Sequence, residues 1–141
     1  NLLSEVVEKR INYCKQEGRF RELYELIELW EQLTGNPHEL APLAKEIFAL
    51  VTNSGIEDEE TETYVDLVKA VAEENRLRIS SQQLHLSLSS DDDSKWIAYQ
   101  IILPEAEPGE MVFKMNLRLV EIAKNTQLSK QVKQVMVVMF R

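Results

Sequence analysis

The sequence is poor in the residues that build the common functional sites. It contains one cysteine, Cys14, and four glycines among 141 residues. A single cysteine cannot form an internal disulfide and fits a reducing compartment, so we expect a cytoplasmic protein. The glycines are isolated from one another, which excludes a glycine-rich phosphate loop. The apolar runs are far shorter than the roughly 20 residues that cross a bilayer, so we expect no membrane partner.

Catalytic and metal-binding patterns are missing as well. His38 and Glu39 begin the zinc-protease pattern HExxH, but Pro42 occupies the position of the second histidine. We therefore expect Asn36 or His38 to cap a helix. The acids at 91–93 are consecutive, whereas calcium loops separate their ligands, so this segment predicts a solvated hairpin loop. We expect no enzyme activity, no catalytic residue, no cofactor and no metal.

The chain is strongly acidic. Its 24 Asp and Glu against 16 Lys and Arg give a formal net charge of -8, concentrated at 56–62 and 91–93. Such a charge repels phosphate backbones, so we expect no nucleic-acid partner. With 44% hydrophobic and 28% charged residues, the composition is that of a folded domain. The sequence begins at Asn1 without an initiator Met or a leader, and we expect it to be part of a larger polypeptide, with processing at this end as the alternative.

Helical periodicity dominates the first half of the chain. Apolar residues recur at intervals of three and four from residue 2 to 17, and Gly18 is placed to end this helix. A second helix is predicted at 20–33, with glutamates on the side opposite its apolar stripe. Two more helices are predicted at about 39–51 and 59–75, the last opened by acidic residues that suit a helix start.

From Arg76 onward the apolar residues alternate with polar ones, as in strands. We predict a first strand through 77–88 and a second at 96–103, joined as a hairpin, with a turn at 104–109. A third strand is predicted at 111–119, although the same segment also has helical spacing. The last strand is predicted at 135–140, with a helix as the alternative.

These elements predict an α+β fold. A helical subdomain of about four helices, 1–75, packs with a strand-rich subdomain, 76–141, that holds a small, mainly antiparallel sheet of three or four strands. Since no linker rich in Pro, Gly or Ser separates the two subdomains, we expect them to pack as one unit.

Residues 9–30 resemble a known family. The pattern is Ile11-x-Tyr13, then Gly18-Arg19-Phe20, Glu22-Leu23 and Leu26-Ile27. It resembles the closing helical hairpin of bacterial effector-associated domains, which are similar to death-fold modules. The resemblance implies an adaptor that recruits effectors of bacterial conflict systems through protein contacts. The interaction residues that we predict in this hairpin are Arg19, Arg21, Glu22 and Glu25.

Two classes of function follow as hypotheses. The first is a noncatalytic protein-interaction or regulatory adaptor module of a bacterial signalling or defence system. It binds a protein partner or neighbouring domains of its own polypeptide, with a homo-oligomer as an option. The second is a sensor of small molecules or peptides, or a weakly recognisable enzyme, with a pocket between helices and sheet. Polar residues such as Tyr64, Tyr99 or His85 aimed into that pocket are its expected sign.

Overall fold

A computed structural model describes residues 1–104 and 109–141, and these residues confirm the α+β fold. Six helices and three strands occur in this part of the chain. In order they are α1 Leu2–Glu17, α2 Phe20–Thr34, α3 Ala41–Asn53, α4 Asp58–Glu74, β1 Leu84–Ser90, β2 Lys95–Ile101, α5 Gly109–Asn125, α6 Lys130–Val135 and β3 Met136–Phe140.

Helix α1 begins and ends where the sequence provides caps. The side-chain oxygen of Asn1 accepts hydrogen bonds from the N–H groups of Leu3 and Ser4, which otherwise lack partners at a helix start. Gly18 ends α1 with a φ of 77°, a left-handed conformation that glycine adopts most readily. All four helices predicted for the first half are present, with ends that differ from the prediction by no more than two residues.

Helix α4 lies at the centre of the molecule. It contacts α1 and α2 from the first half of the chain and α5 and β3 from the second half. Its side chains Val65, Val68 and Val71 are almost fully buried. They belong to a single cluster of buried apolar residues drawn from both 1–75 and 76–141, so the helical part and the sheet share one core.

The sheet is mixed, in the order β1-β2-β3. Strands β1 and β2 form the predicted antiparallel hairpin, while β3 runs parallel to β2. A parallel neighbour needs a long crossover, and the connection here contains α5 and α6. One face of the sheet is directed into the core, through Leu84, Leu86, Leu88, Ile97, Tyr99, Ile101, Met136, Val138 and Phe140.

The predicted strand at 111–119 is wrong, because this segment lies in helix α5. The helix buries Met115 and Leu119, which are four residues apart, and leaves Phe113 and Leu117 exposed. The sequence has apolar residues at both strand and helix spacing in this segment, and the helix spacing is the one that places Met115 and Leu119 in the core. The strand predicted from residue 77 also begins late, at Leu84 after a short 3-10 turn. The turn predicted at 104–109 lies largely outside the described residues.

The strand predicted at 135–140 is present as β3, preceded by the short helix α6. Within the described ranges, no helix is both long enough and apolar enough to cross a bilayer.

Candidate interaction surfaces

The residues predicted for interaction lie near the start of α2, where α1 and α4 meet it. The Arg10 side chain of α1 donates to both carboxylate oxygens of Glu22, at 2.7 and 3.0 Å. Nε of Arg19 donates to the same carboxylate at 2.9 Å. A bidentate contact from an arginine to a carboxylate fixes the relative orientation of the two side chains and adds electrostatic attraction. We call this meeting point of α1, α2 and α4 the hairpin junction, defined by Arg10, Arg19, Arg21, Glu22, Asp58 and Glu62.

Asp58, the first residue of α4, binds the hairpin junction from the other side. Its two carboxylate oxygens accept hydrogen bonds from the backbone N–H groups of Arg21 and Glu22, at 2.8 and 3.0 Å. These are unpaired donors of the first turn of α2, so Asp58 caps a helix that is distant in sequence. Arg19 lies 3.9 Å from Asp58 and 3.3 Å from Glu62. The acidic start of α4 therefore stabilises the α1–α2 hairpin.

Burial and charge shift several pKa values at the hairpin junction. Hydrogen bonds from Arg10, reinforced by Arg19 and opposed by partial burial, lower the pKa of Glu22 to about 2. Burial raises the pKa of the Cys14 thiol to about 12. A buried thiol that resists ionisation is a poor nucleophile, so the single cysteine acts as a core residue.

The structure thus brings Arg19, Arg21 and Glu22 together and engages them within the chain. Arg21 donates through Nε to the carbonyl of Ile56 at 2.8 Å and lies 3.6 Å from the Glu57 carboxylate. Glu25, the fourth predicted residue, lies one turn further along α2 and is exposed to solvent.

A different surface exposes apolar side chains. Phe113, Leu117 and Val120 of α5 are 64, 50 and 52% exposed. They are spaced four and three residues apart, so they form one stripe along the helix. Lys124 continues the stripe by one turn. We call this the α5–β3 face, defined by Phe113, Leu117, Val120, Lys124, Lys133 and Val137.

A groove of about 460 Å³ runs beside the stripe, between α5 and β3. Its wall is mainly apolar, and it also contains Lys124 and Lys133. Neither lysine forms an ion pair within residues 1–104 and 109–141, whereas Lys114 and Arg118 of the same region pair with Glu110 and Glu74. The lining residues are Tyr64, Asn116, Leu119, Val120, Ala123, Lys124, Lys133, Val137, Val138 and Met139.

Helix α5 also occupies part of the free edge of β3. The side-chain amide of Asn116 donates to the carbonyl of Phe140 at 2.9 Å and accepts from its N–H at 2.8 Å. The backbone of Arg141, the next residue, is bonded on the opposite side to Ile101 and Leu103. Asn116 therefore takes the place of a neighbouring strand at Phe140.

A second groove, of about 580 Å³, lies between α4 and the sheet. Tyr99 lines it, and its hydroxyl donates to the backbone carbonyl of Gln16. Burial raises the pKa of Tyr99. Lys69 at the same groove pairs with Glu17. The lining residues are Gln16, Val68, Lys69, Ala72, Glu73, Leu77, Arg78, Ile79, Ser80, Ser81, Leu84, Tyr99 and Ile101.

The two histidines have different environments. His38 is buried, and its Nδ1 accepts from the N–H of Leu40 at 3.0 Å, at the start of α3. Nε2 then carries the proton and donates to Glu8 at 2.8 Å. His38 therefore stabilises the turn that leads into α3, but α3 has no side-chain cap, so the cap expected from Asn36 or His38 is not formed. His85 is exposed on the sheet face opposite the core. Among the described residues, no three His, Cys, Asp or Glu side chains are arranged to hold a metal ion.

Comparison with protein families, curated proteins and solved structures found no match to this chain. The resemblance of residues 9–30 to effector-associated domains therefore stays a prediction from the sequence.

Proposed function

We propose that the chain is a noncatalytic protein-interaction or regulatory module and that the α5–β3 face is its contact surface. The observation that carries this proposal is the stripe of Phe113, Leu117 and Val120, each at least half exposed on one side of one helix. Continuous apolar surface costs free energy in water, and on folded proteins it marks places where another molecule binds.

The character of the partner follows from the rest of the chain. The net charge of -8 disfavours nucleic acid, and the resemblance of residues 9–30 implies an adaptor of a bacterial signalling or defence system. The partner is then another protein or a neighbouring domain of the same polypeptide, in the cytoplasm.

The proposal does not depend on the hairpin junction as a contact surface. Arg19, Arg21 and Glu22 already bind partners within the chain, so a protein that recruits them must first replace those contacts. Glu25 is exposed, so burial does not prevent a partner from reaching it. The interaction role predicted for these four residues is therefore tested separately from that of the α5–β3 face.

A pull-down from a lysate of the source organism, compared across three proteins, tests the proposal. Wild type should retain a defined set of proteins, and Leu117→Asp should lose them because it places a charge in the apolar stripe. Leu29→Asp is the matched control, since Leu29 is 39% exposed on α2, away from this face, and it should retain the set. Loss in both variants, in neither, or no retention by wild type overturns the proposal.

A sensor of small molecules or peptides is a second candidate, favoured by the groove between α4 and the sheet. Its volume of about 580 Å³ is in the range of ligand pockets, and its lining combines apolar residues with polar ones such as Tyr99. A thermal-shift screen of metabolites and short peptides tests it, because a ligand of the native state raises the Tm. Ser81→Trp at the groove rim should abolish any such rise. A screen without hits, or hits unaffected by Ser81→Trp, removes this candidate.

A further inference from the structure

We infer that the α5–β3 face docks an acidic amphipathic helix of a partner protein. The inference rests on the proposed function and adds to it the chemistry of the partner. Three observations support it: the exposed stripe on α5, the two lysines beside it that form no ion pair with the described residues, and the edge of β3 that Asn116 occupies at Phe140.

The charge of the partner follows from Lys124 and Lys133. Residues 109–141 contain six Lys or Arg and two Glu, although the chain as a whole has a charge of -8. Both acids of α5 form ion pairs within the helix: Glu110 pairs with Lys114, and Glu121 lies 3.5 Å from Arg118. The lysines of the groove thus have no carboxylate partner in the described part of the molecule. A segment that fills the groove buries these ammonium groups at least in part, and carboxylates on the segment offset that cost.

The conformation of the partner follows from the stripe and the edge. Residues spaced four and three apart on one helix match a second helix of the same period, whose side chains fit between them. An added strand would need the backbone groups along the free edge of β3. Asn116 already occupies those of Phe140, which blocks strand addition at that end.

Two other occupants fit the same face less well. An anionic membrane would attract Lys124 and Lys133, but a flat bilayer surface does not fill the groove between α5 and β3 that these lysines line. A second copy could supply carboxylates from the start of α4. In a symmetric dimer, however, the same face of the second copy lies opposite this one, so the lysines of the two copies would repel each other. A separate acidic helix meets neither difficulty.

The test uses a fluorescein-labelled synthetic helix of about 18 residues, with leucines on one face and glutamates flanking them. Two matched peptides carry glutamine or lysine in place of the glutamates. Binding is followed by fluorescence anisotropy, and the contact is mapped on the intact chain from shifts of its backbone amide resonances. We expect binding in the order glutamate, glutamine, lysine, with shifted resonances confined to α5, α6 and β3.

The charge requirement is tested with the double variant K124E/K133E. It should weaken binding of the glutamate peptide about tenfold or more, the sum of two modest charge contacts and their reversal. The control K9E/K45E makes the same change of net charge at exposed positions on α1 and α3 and should bind as wild type does. Equal weakening by both variants means that only net charge matters, and this result overturns the inference.

Three further outcomes would also overturn it: no binding of the glutamate peptide at millimolar concentration, binding mapped to another face, or no preference among the three peptides. Tight binding to phosphatidylserine vesicles that K124E/K133E abolishes assigns the face to a membrane instead. Dimerisation in sedimentation experiments that K124E/K133E abolishes assigns it to a second copy. If native partners are retained in a way that depends on Leu117 but not on the lysines, the proposed function stands and only the acidic partner is lost.

Discussion

The hairpin junction and the α5–β3 face both hold exposed or half-exposed charges, yet they differ in where those charges find partners. At the junction, Arg10, Arg19 and Glu22 bind one another, and Asp58 binds backbone N–H groups of α2. On the α5–β3 face, Lys124 and Lys133 line a groove without a carboxylate from the described residues. The first region uses charge to hold helices together, and the second leaves it available to another molecule.

The same difference applies to apolar surface. The side chains that α1, α2 and α4 turn toward one another at the junction are nearly inaccessible, among them Ile11, Leu23 and Val65. The stripe on α5 exposes half or more of each of its three large apolar side chains. Substitutions at the junction should therefore cost stability, whereas substitutions on the α5–β3 face should cost binding. Four predictions test this division, beginning with the largest expected effect.

Gly18→Ala should lower the free energy of unfolding by about 2–4 kcal/mol. A Cβ at this position would lie 2.7 Å from Cγ2 of Val65, and the φ of 77° is strained for alanine. Gly35→Ala is the matched control, because its φ is 71° but nothing lies within 4 Å of the added carbon. It should cost only about 1 kcal/mol. Urea unfolding of both variants measures the difference, and equal costs would show that close packing at Gly18 is unimportant.

Asp58→Ala should lower the free energy of unfolding by about 2 kcal/mol. It removes the acceptor of two backbone N–H groups at the start of α2 and a neighbour of Arg19. Glu59→Ala, an exposed acid in the same turn of α4, should change stability by less than about 0.5 kcal/mol. Thermal or urea unfolding distinguishes the two. If Glu59→Ala costs as much as Asp58→Ala, the acidic start of α4 acts only through its general charge.

Glu22→Gln should cost about 1–2 kcal/mol at pH 7, an effect moderated by partial exposure to solvent. The pKa of Glu22 is lowered to about 2 in the folded chain, below its ordinary value of 4.5. The carboxylate therefore stabilises the folded state above about pH 4.5, and this contribution disappears as the pH falls toward 2. The gap between wild type and variant, measured by urea unfolding, should shrink over that range. A gap that stays constant with pH would mean that ionised Glu22 contributes nothing.

Leu117→Asp should change the free energy of unfolding least, by less than about 0.5 kcal/mol, because the side chain is half exposed. Its effect should fall on binding instead. Leu119→Asp is the contrasting variant, since Leu119 lies two residues away on α5 and is 3% exposed. It should destabilise the protein by several kcal/mol. A large loss of stability in Leu117→Asp would assign the stripe to the fold and not to a partner.

Much of the helical half could be predicted from the sequence, because its signals are local. The apolar spacing of α1, the left-handed Gly18 and the hydrophobic stripe of α2 each lie within one helix or at its end. The hairpin of β1 and β2 has a similar local signal in its alternating residues and polar turn. In the turn, Asp91 accepts hydrogen bonds from the N–H groups of Asp93 and Ser94.

The rest depends on contacts that the sequence does not display. Asp58, which caps α2, lies 37 positions from Arg21 and 36 positions from Glu22 in the sequence. Periodicity could not reveal a contact over such a distance. Segment 111–119 has both periods, and only packing against α4 and β3 selects the helix. A strand at 111–119 would have buried Phe113 and Leu117, so that prediction concealed the exposed stripe on α5. Its helical spacing at Phe113, Leu117 and Val120 was the available signal.

A pull-down that compares two exposed positions tests most directly whether the α5–β3 face is the contact surface. Leu117→Asp changes the α5–β3 face, and Glu25→Lys changes the exposed interaction residue predicted on α2. Both variants should fold with the Tm of wild type. We predict that Leu117→Asp loses the proteins retained by wild type and that Glu25→Lys keeps them. Retention by Leu117→Asp together with loss in Glu25→Lys would contradict it and place the contact surface on the helical hairpin.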